Sequence, residues 1–159
     1  MIIRFIENAD WPAIMDIQAA SYPSIEPESL TVMQNKAELG PQTSFVAEHH
    51  GKIIGYCLAH PWLFGTPPAL AQQLSPCSQP DTLYLHDMAL APLARGQGLG
   101  QAFFHQLLQQ CQQLQLGSIS LVAIAGASSY WSTMGCEICP IDKDLSSYTT
   151  DACYMVRQL

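Results

Sequence analysis

The stretch LAPLARGQGLGQAFFHQLL, residues 90–108, decides how this chain is read. It places glycines at 96, 98 and 100 and then runs into an apolar, helix-like sequence. Glycine lets a backbone amide approach a ligand closely. A helix start offers unpaired N–H groups and the positive end of the helix dipole. Arg95 adds a permanent cation. Together these fit a pyrophosphate; the competing reading is a turn that needs only positive φ. Two other phosphate loops are excluded. No lysine follows in the pattern G-x-x-x-x-G-K-[ST]. The dinucleotide fingerprint G-x-G-x-x-G needs one more residue before its third glycine. It also needs an acidic residue about 20 positions on, where this chain has Leu114 to Gly117.

Outward from the loop, Thr82 to Leu90 reads as a strand and Leu99 to Leu116 as a helix. Leu99, Phe103, Leu107, Leu108, Cys111 and Leu114 make one apolar face, glutamines take the other, and Gly117 ends the helix. Ser118 to Ile124 is apolar and β-rich, a central strand. Ala127 to Met134 reads as a short helix closed by Gly135, and Cys136 to Pro140 and Ala152 to Val156 as the last strands. Upstream, Ile2 to Ile6 is a strand, and Asp10 is placed to cap a helix from Trp11 to Ala20. Ser24 to Glu38 reads as a second helical region, stopped by Gly40-Pro41. Ser44 to Glu48 and Lys52 to His60 flank His49-His50-Gly51 as a hairpin. Residues 61–80 carry five prolines and cannot be regular throughout. An insert of that length is often functional. Strands and helices mix, which predicts an α+β fold on a mixed sheet.

With 159 residues, the chain is expected to be one domain with a core that needs no staples. Charged residues are only 12% and the formal net charge is −7. A nucleic-acid binder should show a basic face, so that class is excluded. An acidic balance suits a cationic acceptor through long-range attraction. No secretory leader is read in the first residues, and apolar runs fall short of the roughly 18 residues of a membrane helix. Six cysteines sit mostly in apolar segments, so a reducing cytoplasm without disulfides is expected. Cys136-Glu137-Ile138-Cys139 lacks a second ligand pair, and alternation turns its cysteines to opposite faces. Packing explains it better than a metal, and no metal is expected.

Arg95-Gly96-Gln97-Gly98-Leu99-Gly100 resembles the R/Q-x-x-G-x-G/A acyl-CoA loop of the GNAT superfamily of N-acetyltransferases. Leu85 to Pro92 looks like the strand before that loop, and Ser129 to Cys136 like the family's φ-Y-x-x-x-G-F helix end. The order of elements matches from residue 1 to 159. The resemblance implies a mostly antiparallel sheet of six to seven strands with about four helices, splayed at its central strands. It implies acetyl-CoA as co-substrate. Met88, Ala89 and Leu90 would line the pantetheine arm, with Met88 and Leu90 lending main-chain groups. Arg95, Gly96, Gln97, Gly98, Leu99 and Gly100 would cradle the pyrophosphate, with Trp131 close to the thiol. The reaction would be direct attack of a primary amine, from a small molecule or a peptide, in a ternary complex. The alternative is a CoA-binding module without turnover. A third reading, a redox or metal protein, rests on the cysteines alone.

An amine with a pKa near 10 must lose a proton before it attacks a thioester. Strand alternation puts Tyr84, His86 and Met88 on one face and Leu85 and Asp87 on the other. His86 has the intrinsic pKa for the task. It matches a base histidine of the arylalkylamine N-acetyltransferases, with Tyr84 where their first histidine stands. A purely structural histidine is the competing reading. Asp87 is the second candidate base, or a carboxylate that ties loop amides together. Trp131 stands four before Gly135, where many family members have a thiol-protonating tyrosine. Either Tyr130 substitutes or the thiolate leaves unaided. Tyr22, Trp62 and Phe64 are candidates to line an apolar acceptor pocket. An exposed edge strand is a place for a second copy to pair as a homodimer.

Overall fold

The computed structural model describes residues 1–23, 25–124 and 126–159. One sheet of seven strands organises them, in the order β1-β2-β3-β4-β5-β7-β6. The strands are β1 (Ile2–Phe5), β2 (Phe45–His49), β3 (Lys52–Trp62), β4 (Thr82–Leu90), β5 (Ser118–Ala123), β6 (Glu137–Ile138) and β7 (Cys153–Gln158). All neighbours pair antiparallel except β4 and β5. The helices are α1 (Trp11–Ser21), α2 (Leu30–Leu39), α3 (Leu99–Gln113) and α4 (Ser128–Ser132). Among the described residues, no helix is long and apolar enough to cross a membrane.

The apolar stripe of α3 does what its spacing predicts. Leu99, Phe103, Leu107 and Cys111 pack with Leu83, Leu85, Ile119 and Leu121 on one face of the sheet. Each fully buried large side chain there contributes roughly 1.5–3 kcal/mol. On the other face Trp11, Ile14 and Ile17 of α1 and Met33 of α2 meet Tyr56, Leu58 and Ala89.

Three expectations are corrected. The second helix begins only at Leu30, where the Ser29 hydroxyl accepts the Val32 N–H. Pro27 and the capping serine delay it, and Ser24, its expected first residue, lies outside the described residues. Asp10 does not cap α1 with its side chain. Its carboxylate accepts the Glu7 N–H at 2.7 Å and pairs with the Arg4 guanidinium at 2.8 and 2.9 Å. The third concerns β4. Asp87 pairs with Leu58 and Leu85 with Ala59, so His86 has no partner on β3. This is a β-bulge, one extra residue in one strand, and it resets alternation. Tyr84, His86 and Asp87 therefore turn to the α1 side, while Met88 joins Leu85 on the α3 side. Met88 is not on the His86 face, and Asp87 is.

Candidate functional site

The parallel pairing of β4 with β5 runs only from Leu83–Ile119 to Leu85–Leu121. The bulge follows at once, and the strands part. A cleft of about 610 Å³ opens there, walled by Leu85 to Leu90 on one side and Leu121, Val122 and Ile124 on the other.

At one end of the cleft lie Arg95, Gly96, Gly98, Leu99, Gly100 and Gln101. Gly96 and Gly98 have φ of 76° and 80°, and a Cβ at either would meet open space. Gly98 is the N-cap of α3. A serine or aspartate cap would cover the first N–H groups with its side chain; glycine leaves them bare. The first helical bond runs from Ala102 N–H to Gly98 O, so Leu99, Gly100 and Gln101 have no intrahelical acceptor for their N–H groups. The bare donors, positive dipole end and Arg95 suit a diphosphate. Gln97 instead turns its amide to Leu93 O and does not line the cleft. Tyr130 and Trp131 form the far wall. The Tyr130 ring stands edge-on to Trp131, with centroids 5.2 Å apart, and Trp131 packs against Phe104 in the core. Burial raises the Tyr130 phenol above its ordinary value.

The opposite end is acidic and aromatic. Tyr22, Ile25, Glu26, Glu28, Leu70, His86, Asp87 and Tyr148 line it. His86 Nε2 lies 2.6 Å from Glu28 Oε1, and the two side chains are 1% and 7% exposed. Burial pushes the Glu28 carboxyl up. The hydrogen bond and charge of His86, the Ala71 N–H and the Lys36 charge outweigh that, leaving it below the ordinary carboxylate value. Among the described residues, His86 Nδ1 is buried without a hydrogen-bond partner.

Asp87 is buried and accepts the Tyr56 hydroxyl at 2.6 Å and the Tyr22 hydroxyl at 2.7 Å. Burial raises its carboxyl above the ordinary value, against the lowering effects of His86 and the two phenols. The Tyr22 oxygen also lies 2.9 Å from Met88 O. Tyr84 is fully buried behind His86, with ring centroids 6.4 Å apart, and shares a 2.8 Å hydrogen bond with Tyr148.

Two residues expected at the acceptor side lie elsewhere. Trp62 ends β3 and donates its Nε1–H to Thr66 O, and Phe64 stands edge-on to Tyr154. Neither lines the cleft. The turn after Trp62 carries them past the sheet, which composition alone does not reveal. Conversely, nothing in the local sequence marks Glu28 or Tyr148. They reach the site from 58 and 64 residues away in the chain. Among the described residues no three His, Cys, Asp or Glu side chains gather to hold a metal.

The fold is shared with solved structures across almost the whole chain. Chaetomium thermophilum Naa20 in complex with a bisubstrate analogue superimposes with a TM-score of 0.75 at 20% identity, covering 100% of this chain and 87% of that one. The ribosomal-protein-S18-alanine N-acetyltransferase of Escherichia coli gives 0.70 at 20%, covering 99% and 92%. The GNAT-like decarboxylase GphF, in complex with isobutyryl-CoA, gives 0.81 at 15%, covering 99% of each chain. A shorter sequence match, 39% identical over 57 residues, links the chain to the probable hydrolase YhcX of Bacillus subtilis (strain 168). It takes in 36% of this chain and 11% of that protein. The model of the acetyltransferase (GNAT) family matches residues 11–130, from the start of α1 through the bulged strand and glycine loop to Tyr130. This chain therefore belongs to the GNAT family of acyltransferases.

Proposed function

We propose that the chain acts as a single catalytic domain over residues 1–159, transferring an acetyl group from acetyl-CoA to a primary amine. One observation carries this reading: the cleft is electrically two-ended. Arg95 and the bare α3 N-terminus face one end, and Glu26, Glu28 and Asp87 face the other. The first end suits the diphosphate of acetyl-CoA and the second an ammonium group. Ile25, Leu70, Tyr22 and Tyr148 supply apolar and aromatic surface beside the carboxylates, which favours an amine carrying an apolar part.

The residues divide the work. Gly96, Gly98, Leu99 and Gly100 hold the diphosphate with main-chain donors, and Met88, Ala89 and Leu90 run alongside the arm. The main-chain edge of β4 beyond Leu85 has no β5 partner and supplies the donor for the developing oxyanion. His86 removes the ammonium proton, directly or through one water. Asp87, held by Tyr22 and Tyr56, shapes that end of the cleft and is not the base. Tyr84 supports it from behind His86, and Trp131 backs the thiol side of the cleft from the α3-side core. Tyr130 keeps its hydroxyl at Gly100, on the loop side. The thiolate then leaves without a protein acid, as a thiol pKa near 8.5 permits.

Release of free thiol from acetyl-CoA across a panel of small amines and peptide amino ends tests the proposal. Thiol release with some acceptor, reduced on the order of 10²–10⁴-fold by His86→Ala, is expected. Binding of acetyl-CoA without release across the panel would identify a non-catalytic CoA-binding module instead. That second reading draws on Trp131 at the position of the family's tyrosine.

A further inference from the structure

We propose that Glu28 is a positioning residue: it fixes His86 in the tautomer that carries its proton on Nε2 and keeps the Nδ1 lone pair free. The inference builds on His86 as the base, given above.

Glu28 is held more firmly than a loop carboxylate needs to be. Gln18 grips its main chain from both sides, accepting the Glu28 N–H at 3.0 Å and donating to Glu28 O at 3.2 Å. The two carboxylate oxygens then serve different partners. Oε2 accepts the Ala71 N–H at 2.9 Å, and Oε1 meets His86 Nε2 at 2.6 Å. Ala71 belongs to an irregular strap, residues 63–81. Four further bonds tie that strap down. Asn35 exchanges two hydrogen bonds with the Leu74 main chain, Lys36 Nζ donates to Gln72 O, and the Tyr148 hydroxyl donates to Pro68 O. Ala71 itself has φ +60°, a left-handed conformation that a side chain resists. The strap holds that conformation with its N–H aimed at Glu28.

The proton can be placed by elimination. A contact of 2.6 Å between two acceptors would repel, so one atom must carry hydrogen. Were it Glu28, neutral His86 would carry its own proton on Nδ1. That atom is buried with no acceptor among the described residues, and orphaned buried N–H groups are rarer than unsatisfied acceptors. Hydrogen therefore sits on Nε2, and Nδ1 presents a lone pair. A carboxylate that sets a histidine tautomer is a familiar route to a competent base.

Ala71 makes the idea testable. Its N–H can only donate, so in Glu28→Gln the amide oxygen must turn to Ala71 and the NH2 to His86. Nε2 then has to accept, and the proton moves to Nδ1. Side-chain nitrogen NMR on ¹⁵N-histidine-labelled protein reads this without any substrate. At alkaline pH, where the spectrum no longer changes with pH, the wild type should show a protonated Nε2 and bare Nδ1. Glu28→Gln should show the reverse, with kcat reduced on the order of 10²–10⁴-fold and the KM for acetyl-CoA within about twofold. Glu28→Ala, the fallback should the amide variant fold poorly, should give a mixture of tautomers.

A wild-type neutral His86 protonated on Nδ1 overturns the proposal. So does a folded Glu28→Gln or Glu28→Ala that keeps the wild-type tautomer. The catalytic reading fails separately: were His86→Ala to leave thiol release unchanged, the tautomer assignment would stand and the base would lie elsewhere.

Discussion

The Tyr130 hydroxyl rests on the Cα of Gly100, leaving no room for even a methyl group between them. One residue belongs to the first turn of α3 and the other to α4. The contact therefore ties the first turn of α3 to α4 across the cleft. Gly100 is a glycine for space, and Gly96 and Gly98 are glycines for backbone conformation.

Gly100→Ala should destabilise the protein by about 1–3 kcal/mol, the usual cost of overpacking. Adding Tyr130→Phe removes the clashing oxygen and should restore most of the melting temperature. Thermal unfolding of both single variants and the double variant closes the cycle. Additive losses would show that the two residues do not press on each other.

Gly98→Ala meets no neighbour, yet forces a side chain to φ +80°. The strain is roughly 1–2 kcal/mol. It falls on the residue that sets the α3 N–H groups, so calorimetric affinity for acetyl-CoA should drop about tenfold, in line with that strain. A stability loss with unchanged affinity would remove the glycine cap from the binding role.

Lys36 is fully buried, and burial pulls its amine from 10.5 to about 8 despite the Glu28 charge nearby. Between those values the unfolded chain holds a proton that the folded chain has lost. Stability therefore gains from this group as pH rises from about 8 to 10.5. Lys36→Met should remove that gain. Urea midpoints of wild type minus variant, followed across this range, should rise with pH; a flat difference counts against the shifted amine.

Tyr22→Phe and Tyr56→Phe each leave a buried Asp87 oxygen short of a donor. A loss of roughly 1–3 kcal/mol is expected from either. The Asp87 carboxyl, already raised by burial, should climb further, and carboxyl infrared titration would report it.

The glycine loop was legible because its information is local. Three alternating glycines, a strand before them and an apolar stripe after them lie within 32 residues, 82–113, and β4 and the start of α3 fall where the pattern puts them. The splay was legible only through resemblance. The His86 bulge was not, since a bulge changes which residues share a face without changing composition. Period-two alternation read straight through it and put Met88 beside His86. Glu28 was invisible for another reason. Its loop is polar and irregular, and its partners are supplied by β4, α1 and the strap. Trp62 and Phe64 looked like pocket residues because aromatic side chains suit pockets and cores alike; only the direction of the chain after β3 separates the two.

The bulge has one more consequence. Remove His86, and Leu85, Asp87, Met88, Ala89 and Leu90 already stand in regular alternation opposite Ala59 to Gly55. The ladder has no use for the imidazole. A shortened β4 would keep its register with β3 unbroken. The supernumerary residue thus stands where the pairing of β4 with β5 ends.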